Sequence, residues 1–178
     1  NTFALIQSDT SNGSGDATGL TTYFGREGEE RVLTSEDYIE LTKREYIYDA
    51  AANYECAGDA PLIRIDERRT DLTDTPISKE LYYAGARDVE KINYILDKET
   101  DGTNASREEY FYGTGYVAAS SANQYDPITR TDKYVYYTDG SIGYKTSQTF
   151  YESYAGNERV KVVKNFRNDG TTVRSTNT

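Results

Sequence analysis

The chain has 178 residues, 36% hydrophobic and 28% charged, which suffices for one core and is too short for several domains. Its net charge of -10, with the basic residues scattered, speaks against nucleic acid as a partner, because phosphate binding needs a basic patch that releases counterions. Histidine is absent, which removes the usual general base and the commonest zinc ligand, and no stretch approaches the roughly 18 apolar residues of a membrane span. A soluble protein with no cofactor and no membrane insertion is expected.

The chain opens at Asn1 without the basic start and apolar run of a signal peptide and contains no methionine, so it reads as a processed or excised piece of a longer precursor. Thr2-Phe3-Ala4-Leu5-Ile6 is a short apolar run. Residues 8–22, SDTSNGSGDATGLTT, have the composition of a flexible linker. An apolar strand behind a linker must find a sheet edge, in its own chain or in a neighbour's, and Phe3, Leu5 and Ile6 are the candidate subunit-contact residues. The expected organisation is an N-terminal strand and linker over residues 1–22 and a β-hairpin domain over residues 23–178.

From Tyr23 onward one cadence returns: an aromatic or β-branched strand, a Gly or Asp turn, a second strand, a polar break. It runs through TYFGREGEERVL from Thr22, EYIYDAAANYECAGDAPLIRID from Glu45, ELYYAGARDVEKINYIL from Glu80, EEYFYGTGYVAAS from Glu108, KYVYYTDGSIGYKTS from Lys133 and VVKNFRNDGTTVRS from Val162. Alternation is plain where Tyr46 and Tyr48 flank Ile47 and where Tyr110 and Tyr112 flank Phe111. Such period-two runs bounded by turn residues mark half-buried strands, so the fold is expected to be all-β, an antiparallel sheet of successive Tyr-rich hairpins. Arg87 to Lys98 also carries apolar residues near helical spacing, but its β-rich neighbours favour a strand. Asp139-Gly140 and Asp169-Gly170 are hairpin signals of the type I′ kind, which requires positive φ at both central residues.

The single cysteine, Cys56, is expected as a small buried side chain or as an intermolecular bridge, and without a histidine it is a poor nucleophile. Asp97 to Glu108 places Asp97, Glu99, Asp101 and Glu108 at loop positions one, three, five and twelve with Gly102 at six, the oxygen spacing of a calcium loop. The competing and favoured reading is an acidic Asp-Gly turn on a solvated edge. Asn12-Gly13-Ser14 and Asn104-Ala105-Ser106 are N-glycosylation sequons, both expected in polar turns. Adjacent acids such as Glu29-Glu30 and Glu108-Glu109 point to opposite faces of a strand, which does not suit the facing pair of a glycosidase.

The chain has 18 tyrosines and no tryptophan. In a thin sheet every residue lies near a surface, and a ring with a polar tip suits both packing and water. The segments YYTDGSIGYK from Tyr136, YIYDAAANY from Tyr46 and YYAGARDVEKINY from Tyr82 resemble the tyrosine-aspartate (YD, or RHS-type) repeats of bacterial surface and toxin-shell proteins, over about residues 44–170. The resemblance implies hairpin repeats, each burying its face on the next. The expected function is an extracellular or cell-surface structural protein, a repeat module or fibre subunit whose partners are copies of itself, with N-terminal strand exchange as one route. A carbohydrate-binding or adhesin module that meets glycans through exposed Tyr, Asp and Asn is the alternative. A hydrolase built on Asp and Glu is a third.

Overall fold

The computed structural model describes residues 6–25, 30–49, 60–70 and 76–178, and of Ile6 the backbone only. These residues form β1 (Ile6–Ser11), β2 (Ala17–Phe24), β3 (Arg31–Asp37), β4 (Thr42–Tyr48), β5 (Leu62–Arg69), β6 (Lys79–Ala84), β7 (Lys91–Lys98), β8 (Asn104–Tyr112), β9 (Val117–Ala118), β10 (Ile128–Tyr136), β11 (Ile142–Glu152), β12 (Arg159–Phe166) and β13 (Val173–Asn177). All belong to one antiparallel sheet in which each strand pairs with its sequence neighbours, while the short β9 pairs only with β8. The all-β meander of hairpins expected from the alternation is therefore present, and Arg87 to Lys98 supplies β7 with no helix.

Strict alternation of direction sorts the connections by end. The tight turns 12–16, 38–41, 99–103, 137–141 and 167–172 share one end, and the connections 85–90, 113–127 and 153–158 share the other. At Tyr137–Ser141 the Gly140 amide donates to the Tyr137 carbonyl and the Tyr137 amide to the Ser141 carbonyl, both at 2.9 Å. Gly140 is at φ 81, whereas Asp139 is not among the residues of positive φ. The turn is thus a three-residue type I turn closed by a left-handed glycine, and the expectation of type I′ geometry is corrected. The aspartate acts through its side chain instead: Asp139 Oδ1 accepts the Ser141 amide at 2.9 Å and the Ser141 hydroxyl at 2.6 Å, a bond that would be lost if the residue rotated into the I′ position.

Residues 8–22 depart from the linker expectation. They form most of the first hairpin, with Gln7 opposite Thr22, Ser8 opposite Thr21 and Asp9 opposite Leu20, and β2 runs across the 22/23 boundary. The physical reason lies in hydroxyl pairing. Thr22 and Thr34 Oγ1 atoms stand 2.6 Å apart, and the Thr18 hydroxyl donates to Thr10 Oγ1 at 3.3 Å, so a polar edge strand is held by its ladder and cross-strand hydroxyls without an apolar face. Asn12 Oδ1 nucleates the turn by accepting the Ser14 and Asp16 amides. Phe3, Leu5 and Cys56 lie outside the described residues.

The core is correspondingly thin. Among the described residues, Ile65, Leu96, Tyr112, Ala60 and Ala119 are the buried apolar ones, and Asp66, Glu80, Thr131 and Asp132 are buried as well. The accessible surface is 11025 Å² for a chain of 20.1 kDa, against about 8,700 Å² for a compact monomer of that mass. The longest described connection, 113–127, folds back: the Ala119–Ser121 3₁₀ turn lies against β6 and β7, and Lys91 Nζ on β7 donates to the Asp126 and Gln124 carbonyls at 2.8 and 3.2 Å.

Candidate functional site

One face of the sheet carries two rows of side chains running across the strands. The first is Arg64, Tyr82, Tyr94, Glu109, Asp132, Gln148 and Lys164, each directly opposite the next. The second, one rung along, is Asp66, Glu80, Leu96, Arg107, Tyr134 and Lys145. Two like-charged pairs, Asp66 with Glu80 and Glu109 with Asp132, thus stand opposite one another, and Asp132 is only 2% exposed. Such pairs are tolerated only when cations complete them.

The cations come from within the same strands, two residues away. Arg64 Nε lies 2.7 Å from Asp66 Oδ1, Arg107 Nη2 lies 3.0 Å from Glu109 Oε1, and Arg130 Nε lies 3.4 Å from Asp132 Oδ1. The Arg64 Nε contact is short but misaligned for a hydrogen bond, so Coulomb attraction holds it, while Arg64 Nη2 donates to Asp66 Oδ2 at 3.0 Å. Lys98 Nζ reaches Glu80 Oε2 at 3.0 Å, and Asp132 accepts Lys145 Nζ at 2.7 Å and Gln148 Nε2 at 2.8 Å. Each guanidinium also lies over a neighbouring ring: Arg64 over Tyr82 at 5.8 Å, Arg107 over Tyr94 at 4.0 Å, Arg130 over Phe111 at 3.9 Å. Tyr82 and Tyr94 stack at 4.4 Å. Alternating charge and ring is thereby a three-times repeated unit, Arg-x-Asp or Arg-x-Glu with an aromatic from an adjacent strand, the following one for Arg64 and the preceding one for Arg107 and Arg130.

The opposite face holds Tyr46, Ile65, Leu81 and Ile95 in register, with Tyr110 opposite Thr131 further along. Burial raises the hydroxyls of Tyr110 and Tyr112 well above the ordinary tyrosine range, and Tyr48 is pushed up to about 12 by burial, with Arg31 opposing. Tyr112 Oη donates to the Ile92 carbonyl at 2.7 Å and Tyr48 Oη to the Val32 carbonyl at 2.8 Å, so these phenols brace neighbouring strands.

A shallow open groove of about 570 Å³ lies where the 113–116 turn meets β10, β11 and β12, with Tyr116, Phe150 and Val162 as its apolar lining and Lys161 and Lys164 at its side. Tyr116 is 43% exposed, sits at φ 52 and meets Phe150 edge-on at 6.4 Å. Positive φ at a bulky residue is uncommon and fixes where the ring points.

The residues singled out in the sequence fall as follows. Asn12 lies in the exposed first turn. Asn104 opens β8 on a strand, not a turn, and its Oδ1 accepts Lys98 Nζ at 2.7 Å, because the Asp-Gly turn closes one residue earlier. Asp97, Glu99, Asp101 and Glu108 do not converge: Asp97 accepts the Ser106 hydroxyl at 2.7 Å and faces Lys133, Asp101 folds onto Thr103, and Glu108 stands opposite Ile95. Among the described residues no cluster of three or more Cys, Asp or Glu is arranged to hold a metal ion, and no helix is long and apolar enough to cross a membrane. Ile6 pairs with Tyr23 of its own chain at the start of β1. The Arg-x-acid unit went unnoticed in the sequence, although the spacing in Arg64-Ile65-Asp66, Arg107-Glu108-Glu109 and Arg130-Thr131-Asp132 is there to be seen. No protein-family model matches the chain, and no curated protein matches it.

Proposed function

We propose that the chain is a non-catalytic structural module of an extracellular or cell-surface assembly, a repeat unit or subunit whose sheet continues into a neighbour through its edges. The observation that carries this reading is the pair of outer strands. Among the described residues β1 and β13 each have one neighbour, every side chain described in them is exposed, and neither contains the proline or lysine with which natural edges are commonly blocked. A thin sheet with excess surface gains burial by extension, and the resemblance to tyrosine-aspartate repeats points the same way. Size-exclusion chromatography with light scattering, together with electron microscopy, tests it: assemblies that grow with concentration are expected, and a strictly monomeric species at every concentration overturns it. Deleting residues 1–5, which leaves β1 whole, separates the strand-exchange route, which requires assembly to be lost in the truncated chain.

The groove at Tyr116 favours a second reading, a carbohydrate-binding module, because an exposed ring flanked by Thr114, Thr129, Lys161 and Lys164 suits a sugar face with polar substituents. Saturable binding on a glycan array that is lost in Tyr116→Gly supports it, and its absence removes it.

A further inference from the structure

We infer that β13 of one copy and β1 of the next recognise each other head to tail in a single register, with Arg174 opposite Asp9; this rests on the edge-assembly reading above and specifies its contact. Among the described residues, thirteen strands less the off-path β9 leave twelve in the antiparallel series from β1 to β13, an even number, so β1 and β13 run in opposite directions. A second copy placed beside the first without rotation therefore continues the alternation, its tight turns flush with the first copy's tight turns. An odd number would have forced a parallel junction. Such a heterologous contact uses different surfaces on the two sides and propagates as an open filament.

Register follows from length, face and charge. Five residues of β13 match five of β1 when Val173 stands opposite Thr10, Arg174 opposite Asp9, Ser175 opposite Ser8, Thr176 opposite Gln7 and Asn177 opposite Ile6. Carried rung by rung through Leu20, Glu36, Lys43 and Arg68, Asp9 shares the face of Asp66, and through Lys164, Gln148 and Asp132, Thr176 shares that same face. Arg174, two residues from Thr176, meets Asp9 on it without a slip that would turn every side chain over. Asp9 is the one charge on β1 and Arg174 the one charge on β13, both exposed and neither in an ion pair among the described residues. Arg174 has no partner residue on β12, because that ladder slips between Asn165 and Phe166, and β1 slips between Thr10 and Ser11 at the corresponding end. Of the remaining rungs, Ser175 with Ser8 and Thr176 with Gln7 pair hydroxyl and amide side chains, as Thr18 and Thr10 do between β2 and β1, while Val173 with Thr10 and Asn177 with Ile6 set an apolar residue opposite a polar one.

The test uses Asp9→Lys and Arg174→Glu in the full chain, with association followed by light scattering and folding by circular dichroism. Each variant alone places like charges opposite one another at every junction and is expected to associate about ten-fold more weakly than wild type. In an equimolar mixture, filaments in which the two variants alternate carry opposite charges at every junction, so mixing is expected to recover wild-type association. Variants that assemble like wild type, or a mixture no better than its components, overturn the register while leaving edge assembly standing. A wild-type chain that never associates overturns the edge-assembly reading itself. If a reversal prevents folding, Asp9→Asn and Arg174→Gln give the same comparison, each expected to be about threefold weaker, with part of the loss recovered on mixing because every second junction of an alternating filament regains Arg174 opposite Asp9, and unchanged association again overturns the register.

Discussion

Asp132 shows how single residues hold this sheet. A carboxylate at 2% exposure accepts Lys145 and Gln148 and attracts Arg130, three partners from its own and the adjacent strand. Replacing it by alanine strands two cations beside a low-dielectric face, and Asp132→Ala is expected to lower unfolding stability by about 3 kcal/mol in chemical denaturation. A loss below about 1 kcal/mol would mean that the row is solvated and the surface rule for ion pairs applies. The phenols give an alkaline signature. Tyr48 at about 12, and Tyr110 and Tyr112 displaced upward in the same way, lie above the unfolded value of about 10. Their folded pKa is raised, so the stability they contribute is intact below pH 10 and is lost as pH climbs from about 10 toward 12. Tyrosinate absorbance recorded beside circular dichroism should show a fraction of the rings ionising only as the sheet signal disappears. Complete ionisation of all 18 with the sheet intact would contradict the bracing role.

At the scale of the element, the hairpin turns were the most legible part of the sequence and the first hairpin the least. Asp-Gly followed by Ser or Thr at 101–103, 139–141 and 169–171 fixed where strands stop, because a left-handed glycine and an aspartate that binds the amide two residues on leave the chain little choice. Residues 8–22 carry the same Ser, Thr, Gly and Asp in a different order, and composition alone cannot distinguish a polar edge strand from a linker, since what holds it is hydroxyl pairing with Thr34 and Thr10 across the ladder. The turns carry their own acid dependence. Asp169 is held down to about 2 by the hydroxyl and amide of Thr172 and by the Thr171 amide, and Asp101 and Asp139 are lowered by Thr103 and Ser141. With folded pKa values below the unfolded one, their support is present above pH about 4 and lost as pH falls toward 2. Amide exchange at Thr171 and Thr172 should accelerate across that window beyond the intrinsic chemistry, and Asp169→Asn should abolish the change. Gly140→Ala, at φ 81 with open space around the added methyl, is expected to cost about 1 kcal/mol from backbone strain alone.

Across the whole molecule, the alternation of Tyr with Val, Ile and Thr made the antiparallel meander readable, because period-two patterning is a property of each strand alone. The charged rows were not readable in the same way: a pair such as Asp66 and Glu80 becomes intelligible only when the register sets them side by side and brings Arg64 and Lys98 to them. The candidate contact residues divide similarly, with Ile6 in the outermost strand by its pattern and Arg174 discernible only once β13 is seen to be the opposite edge. A sheet of this kind has its strongest protection in the middle, around β5 to β10, and its weakest at β1 and β13, where every described side chain is exposed.

Amide hydrogen exchange of the full chain as a function of protein concentration is the most direct test of a module built to continue through its edges. Amides of β7 and β8 should be protected at every concentration, whereas those of β1 and β13 should exchange quickly in dilute solution and become protected together as concentration rises. Edge amides whose exchange is the same at all concentrations, with the centre protected throughout, would contradict it.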